Sequence, residues 1–271
     1  MSDGADSAHF PADWLALREP VDHRSRVGEL TRLLARHLRA CVAEMPTVVD
    51  LGAGCGSNLR YLSEHLPEPI RWRLLDHDAA LLAAVPRHLR ERDIVSTETV
   101  DLSMPLAPVL AGADLVTASA LIDLASADWI GGLCGACAAA GAAVLIALTV
   151  DGRVTFADDD ADDEWVRAAV ARDQHRDKGL GLALGGDAPA VLIDALGARG
   201  YAVGARPSDW RLGSADAALA GALIDGWRKA AQRQCPRKRD AIARWALRRA
   251  AAVADGRAAL TVGHLDVLGI L

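Results

Sequence analysis

The feature that most constrains this chain is a short apolar run that ends in a glycine-rich loop and is followed by a strict alternation of strand-like and helix-like segments. The run Thr47-Val48-Val49-Asp50-Leu51 lies between Pro46 and Gly52, and the chain continues Gly52-Ala53-Gly54-Cys55-Gly56. An apolar run of that length bounded by turn residues reads as a strand buried on both faces. A helix over Asn58 to Leu66 comes next and stops before Pro67. Further strands are expected at Trp72 to Leu75, Val95 to Val100, Ala113 to Ala118 and Ala142 to Val150. Helices at Ala79 to Arg92 and Asp128 to Ala140 separate them. Strand and helix in regular turn imply right-handed crossovers and a parallel sheet covered on both sides.

On either side of this region the pattern is mostly helical. Residues Trp14 to Ala43 read as helices, with Leu30, Leu33, Leu34 and Leu38 at helical spacing and arginines opposite. After Val150, a helix is expected over Asp163 to Asp173. The acidic run Asp158 to Glu164 before it reads as a solvated helix start favoured by the macrodipole. Another helix spans Pro189 to Gly200. Tyr201 to Arg206 and Trp210 to Leu212 read as one strand with a break, and Thr261 to Leu268 as a final strand. Between them, Ala215 to Asp255 forms two or three helices.

Composition narrows the function classes. The 271 residues carry a net charge of -6, which argues against a nucleic-acid partner, since such partners need a basic face. The arginines from Arg233 to Arg249 keep an RNA acceptor open as an alternative. The longest apolar run, Ala136 to Val150, is too short and too interrupted by glycine to span a membrane. Met1 to Pro11 is acidic and polar, unlike a secretory signal. The five cysteines show no framework spacing, and the Cys134–Cys137 pair has no second pair or histidine cluster nearby. No metal site is expected, and a cytoplasmic location with reduced thiols is the default.

Glycines at 52, 54 and 56 permit a tight turn and let backbone N–H groups approach a ligand at a helix N-terminus. A dinucleotide fingerprint needs its third glycine where this chain has Ser57. Carboxylates stand at successive strand ends: Asp50 before the loop, Asp76 after the second strand, Asp101 after the third, with Asp114 opening the fourth. Ligands of open α/β sheets bind at the carboxyl ends of strands, so these groups converge on one crevice.

Over Thr47 to Val150 this assembly resembles the class I S-adenosylmethionine (SAM)-dependent methyltransferase family, and it is similar to a bacterial subgroup with an Asp177-Lys178-Gly179 segment. The resemblance implies an α/β, doubly wound, mostly parallel seven-stranded sheet. An antiparallel C-terminal hairpin would come from Tyr201–Arg206 and Thr261–Leu268, with N-terminal and C-terminal helical additions. It divides the chain into a helical cap over 1–45 and a SAM-binding domain over 46–271, with a helical insert at about 213–257. The glycine loop with Gly52, Ala53 and Gly54 would hold the methionine part of SAM, Asp76 the ribose, and Asp101 with Leu102 the adenine, with Asp50 and His77 also counted in the cofactor site. Ser119 would lie where the fourth strand passes the sulfonium. Arg26 is the first choice for the methionine carboxylate and Arg18 the second.

The acceptor site is expected between the end of the fourth strand and the polar segment Arg172 to Gly181. Asp123 and His175 are the catalytic candidates, the imidazole being the preferred base because its ordinary pKa of ~6.5 lies near working pH. His264, alone between apolar neighbours, reads as structural. The leading function is methyl transfer to an oxygen, nitrogen or carbon of a small molecule. A nicotinamide oxidoreductase, a SAM-binding partner subunit without catalysis and an RNA methyltransferase stay open, as does a homodimer.

Overall fold

The computed structural model describes residues 10–41, 44–158 and 160–271. Residues 1–9, on which the reading of the N-terminus rests, Ala43 at the expected end of the first helices, and Asp159 in the acidic run lie outside the described residues. In chain order, α1 (Ala12–Ser25) and α2 (Gly28–Cys41) precede β1 (Thr47–Leu51), α3 (Ser57–Ser63), β2 (Arg71–Asp76) and α4 (Ala79–Ala83). Then come β3 (Ile94–Thr99), α5 (Ala107–Leu110), β4 (Leu115–Ser119), α6 (Ala127–Ala140) and β5 (Ala143–Phe156). The chain continues through α7 (Asp163–Gln174), α8 (Ala188–Gly197), β6 (Ala202–Pro207) and β7 (Trp210–Leu212). It ends with α9 (Ala217–Gln234), α10 (Arg239–Ala254) and β8 (Leu260–Ile270).

All eight strands form one sheet, in the order β3-β2-β1-β4-β5-β8-β6, with β7 also paired to β8. The first five strands run parallel. The antiparallel end forms as expected, with Ala202 opposite Ile270 and Pro207 opposite Leu265. An eighth strand exists because β8 is long enough to hold two partners: β6 takes its C-terminal half, and β7 pairs with Leu260 to Val262. At the break between them, Ser208 N–H donates to the His264 carbonyl at 2.9 Å.

Alternating side chains of the parallel strands serve two apolar layers. Leu30, Leu34 and Leu38 of α2 and Leu59 and Leu62 of α3 pack with Val48, Trp72, Leu74 and Leu145. Val49, Leu75, Val116 and Val144 face the opposite layer, where Ile130 and Leu133 of α6 and Leu192 of α8 close over them. A third cluster belongs to the additions: Val166, Leu219, Ile224, Trp245 and Val253 pack against Trp210, Leu260 and Val262. Among the described residues, no helix is long and apolar enough to cross a membrane.

Two local expectations need correction. The helix expected over Ala79 to Arg92 ends at Ala83, because Pro86 disfavours helical backbone just before it. The segment beyond is held instead by Arg90, which donates to the carbonyls of Ser63 and Leu66 and to Asp93. The acidic run is not a solvated helix start. Arg249 of α10, nearly fully buried, binds Asp158 at 2.6 Å and Asp163, while Trp245 donates to Asp163 at 2.8 Å. Arg248 binds Asp160 and Asp162 from the exposed side. Charges at the start of α7 thus dock α10.

This difference in burial predicts unequal costs. Arg249→Ala removes the buried guanidinium from the half-buried Asp163, which keeps Trp245 as its remaining donor, and should lower stability by ~1.5–3 kcal/mol, the range for a lost charge-assisted hydrogen bond. Arg248→Ala, on the exposed side, should stay within about 1 kcal/mol. Urea denaturation of the two variants beside the parent chain measures both, and equal effects would contradict the docking role of Arg249.

Candidate functional site

The strand order reverses between β1 and β4, the place where open α/β sheets present a ligand crevice. A cavity of about 650 Å³ opens there. Its floor is the loop after β1, in which Gly52, Gly54 and Gly56 all have left-handed φ. A Cβ on Gly54 would stand 3.1 Å from Leu15 of α1, and one on Gly52 would stand 3.1 Å from Leu121. Side chains larger than hydrogen would therefore meet the walls as well as strain the backbone.

Most of the residues expected at a cofactor site line this cavity: Asp50, Gly52, Ala53, Gly54, Asp76, His77, Asp101, Leu102 and Ser119. Asp76 ends β2 and is buried. One of its oxygens accepts from the N–H of Gly54 at 2.8 Å, the other from the N–H of Asp78 at 2.9 Å. It is thus both a strand-end turn residue and the anchor of the loop, and each carboxylate oxygen keeps lone-pair capacity for a ligand. His77 stands with its Nδ1 3.2 Å from Asp76. Asp101 lies two residues beyond β3, exposed on the rim. Hydrogen bonds from Ser103 hold its carboxyl below the usual range.

Asp50 is fully buried, and burial pushes its carboxyl up to about 7. Its Oδ1 accepts from Asn58 Nδ2 at 2.8 Å, while its Oδ2 is buried with no hydrogen-bond partner. Asn58 lies in the first turn of α3. It also reaches Thr117 of β4 at 3.1 Å and accepts from Arg26 Nη1 at 2.8 Å.

Arg26 itself requires a correction. It does not line the cavity; it caps the C-terminus of α1 behind the site, buried over the Tyr61 ring at 4.4 Å and 3.4 Å from Asp266. Its position at the turn into α2 points it at the sheet. Arg18, two turns earlier, lines the cavity instead, bound to Asp22 at 2.8 Å.

A second cavity of about 440 Å³ adjoins the first, and the two share Phe10, Arg18, Ala120, Leu124 and Lys178. Its far walls come from the extension of β5, from β7 and β8, and from the helical additions. Both catalytic candidates line it. Asp123 lies in the turn after β4, between Ala120 and Leu124. Its carboxyl is raised by burial, with Lys178 the main opposing charge. Lys178 in turn has its ammonium lowered by burial. His175 caps α7 and donates from Nδ1 to the Ala183 carbonyl at 3.0 Å. It borders the second cavity only.

Non-glycine residues rarely adopt left-handed backbone, and strain of that kind collects at functional sites. Among the described residues it occurs at Ala120 and Leu148. Ala120 borders both cavities and Leu148 the second.

Sequence reasoning missed Asn58 and Asp22. Asn58 carried a signal, an amide in the first turn after a glycine loop, but it had been used only as a helix start. Cys134 and Cys137 are buried in α6, their thiols pushed up to about 11 and about 12 by burial. Among the described residues, no group of three or more His, Cys, Asp or Glu side chains could hold a metal ion.

No protein-family model matches the chain, and no curated protein matches it. Solved structures do. The cyclopropane synthase MmaA2 from Mycobacterium tuberculosis is similar over 98% of this chain and 96% of its own, with 10% identity and a TM-score of 0.51. A cyclopropane-fatty-acyl-phospholipid synthase-like protein from Lactobacillus casei is similar over 93% and 92%, with 16% identity and a TM-score of 0.50. The chain has the class I methyltransferase fold. An O-methyltransferase family protein from Burkholderia thailandensis is matched over 70% of this chain at 19% identity and a TM-score of 0.45, and this chain spans about half (52%) of that protein's length.

Within that fold, His264 offers a direct check on the electrostatics of the second cavity. Burial pushes its imidazole down to about 4 from an ordinary 6.5. The unfolded chain therefore binds the proton more readily. The stability carried by the neutral ring is complete above pH ~6.5 and drains away as pH falls toward 4. Asp50, raised to about 7, acts in the opposite sense over an overlapping window. The difference between the parent chain and His264→Gln isolates the histidine: from pH 7 to pH 5 the parent should lose about 2 kcal/mol more than the variant. Parallel denaturation profiles would show that the ring is solvated.

Proposed function

We propose that the larger cavity binds SAM and that the adjoining one holds a small-molecule acceptor for its methyl group. The observation that carries this reading is the orphaned oxygen of Asp50. A buried carboxylate oxygen without a donor costs free energy, and this one stands at the head of a glycine loop in the crevice of a methyltransferase fold. A ligand with an ammonium group and ribose hydroxyls suits the donor set: Asp50 for the ammonium, Asp76 for the hydroxyls, and Asp101 with Leu102 for an adenine edge. Arg18, whose Nη1 makes no hydrogen bond to Asp22, replaces Arg26 as the group for the ligand carboxylate.

When bound, SAM supplies an electrophilic methyl group on a sulfonium for in-line displacement. The residues of the chain position the acceptor and move its proton. Asp123 is better placed than His175 for the proton, because the residues bracketing it, Ala120 and Leu124, border both cavities. A carboxyl raised by burial is a stronger base than an exposed one. Lys178, across both cavities, steadies negative charge that develops on the acceptor. His175 is left to orient the acceptor from the second cavity. The arginines once read as a patch for RNA are partly spent in ion pairs, Arg233 with Asp173 and Arg248 and Arg249 with the acidic run, which favours a small acceptor.

Calorimetric titration tests the reading. S-adenosylhomocysteine and SAM should bind and NAD should not; the reverse would favour an oxidoreductase. Asp76→Ala should weaken binding at least ~10-fold, since hydrogen bonds to a charged acceptor contribute ~1.5–3 kcal/mol and the loop loses its anchor. Unchanged affinity would remove Asp76 from the site.

Binding should also depend on pH. A ligand ammonium favours ionised Asp50, so the protein must release the proton that Asp50 holds below about pH 7. Affinity should rise with pH up to that point, approaching ~10-fold per unit on the acid side. Asp50→Asn should bind more weakly, with a flat profile.

A further inference from the structure

The second cavity has walls unlike the rest of the molecule. The chain holds only eleven aromatic residues of the Phe, Trp and Tyr types, and six of them border this one space: Phe10, Trp14, Phe156, Trp210, Trp227 and Trp245. Aromatic walls receive either flat apolar rings or cations, and the neighbouring charges separate the two cases. The Arg18 guanidinium already stands 5.0 Å from the centre of the Trp210 ring, and Arg249 stands 4.2 Å from that of Phe156. A cationic ligand would meet two of the six rings with one face already under a guanidinium, and fixed positive charge beside them. Lys178 adds to that charge at the junction. The three carboxylates on the walls do not outweigh the four cations there, Arg18, Arg153, Arg167 and Lys178: Asp151 is bound to Arg153 at 2.5 Å, Asp123 is opposed by Lys178, and Asp187 is exposed. The cavity therefore favours an uncharged ring system, and 440 Å³ lies toward the small end of ligand sites.

Among these rings stands the imidazole of His264. His264 of β8 is 2% exposed and packs against Trp210, ring centres 5.0 Å apart. Its Nδ1 lies 2.9 Å from the Val262 carbonyl, which can only accept, so the proton sits on Nδ1. Nε2 then carries a lone pair. Among the described residues it has no protein partner, and the ring borders the cavity. An acceptor atom so placed is satisfied by a ligand that brings an O–H or N–H group.

We propose that the second cavity takes a small, planar, uncharged aromatic compound carrying an O–H or N–H group, and that His264 Nε2 accepts that hydrogen as the specificity-determining contact. The proposal rests on the reading of this cavity as the acceptor site. It puts the hydrogen-bonded group at the far wall and leaves another edge of the ring system facing Asp123 and Lys178 at the junction.

The test uses 2-naphthol and its methyl ether, 2-methoxynaphthalene, as probes of nearly equal shape, one with a donor and one without. Binding to the full chain without SAM is followed by tryptophan fluorescence and calorimetry. The parent should prefer 2-naphthol by at least ~10-fold, because a site built around a buried acceptor rejects an analogue that leaves it unpaired. His264→Phe should bring the two probes within ~2-fold of each other while still binding the ether. His264→Gln, which keeps an acceptor oxygen, should restore part of the preference, an outcome that a merely structural role would not produce.

A preference that survives His264→Phe would overturn the assignment of His264. Tighter binding of 2-naphthyltrimethylammonium than of 2-naphthol would overturn the uncharged class, and no binding of any probe would overturn the aromatic class. Titration of S-adenosylhomocysteine on the same preparations keeps the two readings apart. Probe binding without it sinks the cofactor assignment alone, and its binding without probe binding sinks the acceptor class alone.

Discussion

The structure is organised around one buried polar chain: Asp266 on β8, Arg26 at the end of α1, Asn58 at the start of α3, and Asp50 at the end of β1. The links from Asp266 to Arg26 and from Arg26 to Asn58 join elements far apart in sequence, and the last ties β1 to the helix that follows it. Asp266 also accepts from the backbone N–H groups of Val27 and Leu148, at 2.9 and 2.8 Å, which fixes the α1–α2 turn and the irregular point of β5. A charge this deep is stable only while its partners stay in place. The glycine loop, the helix that follows it and the N-terminal helix over the cavity therefore hold their positions together. Within this chain Arg26 Nε and Nη2 and one oxygen of Asp50 are buried without a hydrogen-bond partner, which withdraws part of the stability the links provide, and the Asp50 oxygen does so beside the cavity. Such local sacrifices are characteristic of binding sites.

The two cavities have different origins in the chain. The first follows from topology, since any sheet whose strand order reverses leaves a gap at the carboxyl ends of its strands. The second depends on the long β5 and β8, which outrun the parallel sheet, and on α7, α9 and α10 packed against that overhang. Register shifts in the β5–β8 ladder, between Ile146 and Thr149 and again between Val150 and Val154, bend the overhang around the space. Leu148 takes left-handed backbone within the first of them. The parallel half of the fold thus makes the first crevice, while the additions make the walls that, on the proposed reading, distinguish one acceptor from another.

How far the site was legible before folding depended on how local its determinants are. Asp50, Asp76 and Asp101 could be read because strand periodicity and turn residues are short-range signals, and strand ends have a known direction. Whether Arg18 or Arg26 faces the cavity is decided by the rotation of α1, which the contact of Trp210 Nε1 with Asp22 at 3.0 Å sets from 188 residues away. The docking of α10 on the acidic run has the same non-local character: Asp158 and Asp163 look like solvent-facing charges until Arg249 arrives from 86 and 91 residues downstream. The early end of α4, by contrast, had a local cause in Pro86 and was open to reading.

On the proposed reading, His264 is structural and functional in the same fold. Lying in a strand, it needs its Nδ1 proton satisfied, and the carbonyl of Val262 two residues earlier does so locally. That bond fixes the tautomer, and the tautomer decides that the remaining nitrogen accepts rather than donates. Burial then removes the cationic form near neutral pH, so the atom facing the cavity keeps its character over the working range. A local backbone contact therefore decides which chemistry the ring can offer to the cavity. The same logic applies to Asp50, where the bond to Asn58 occupies one oxygen and leaves the other for a ligand. In both cases the fold supplies fewer partners than the side chain can use, and on the proposed reading a ligand supplies the missing one.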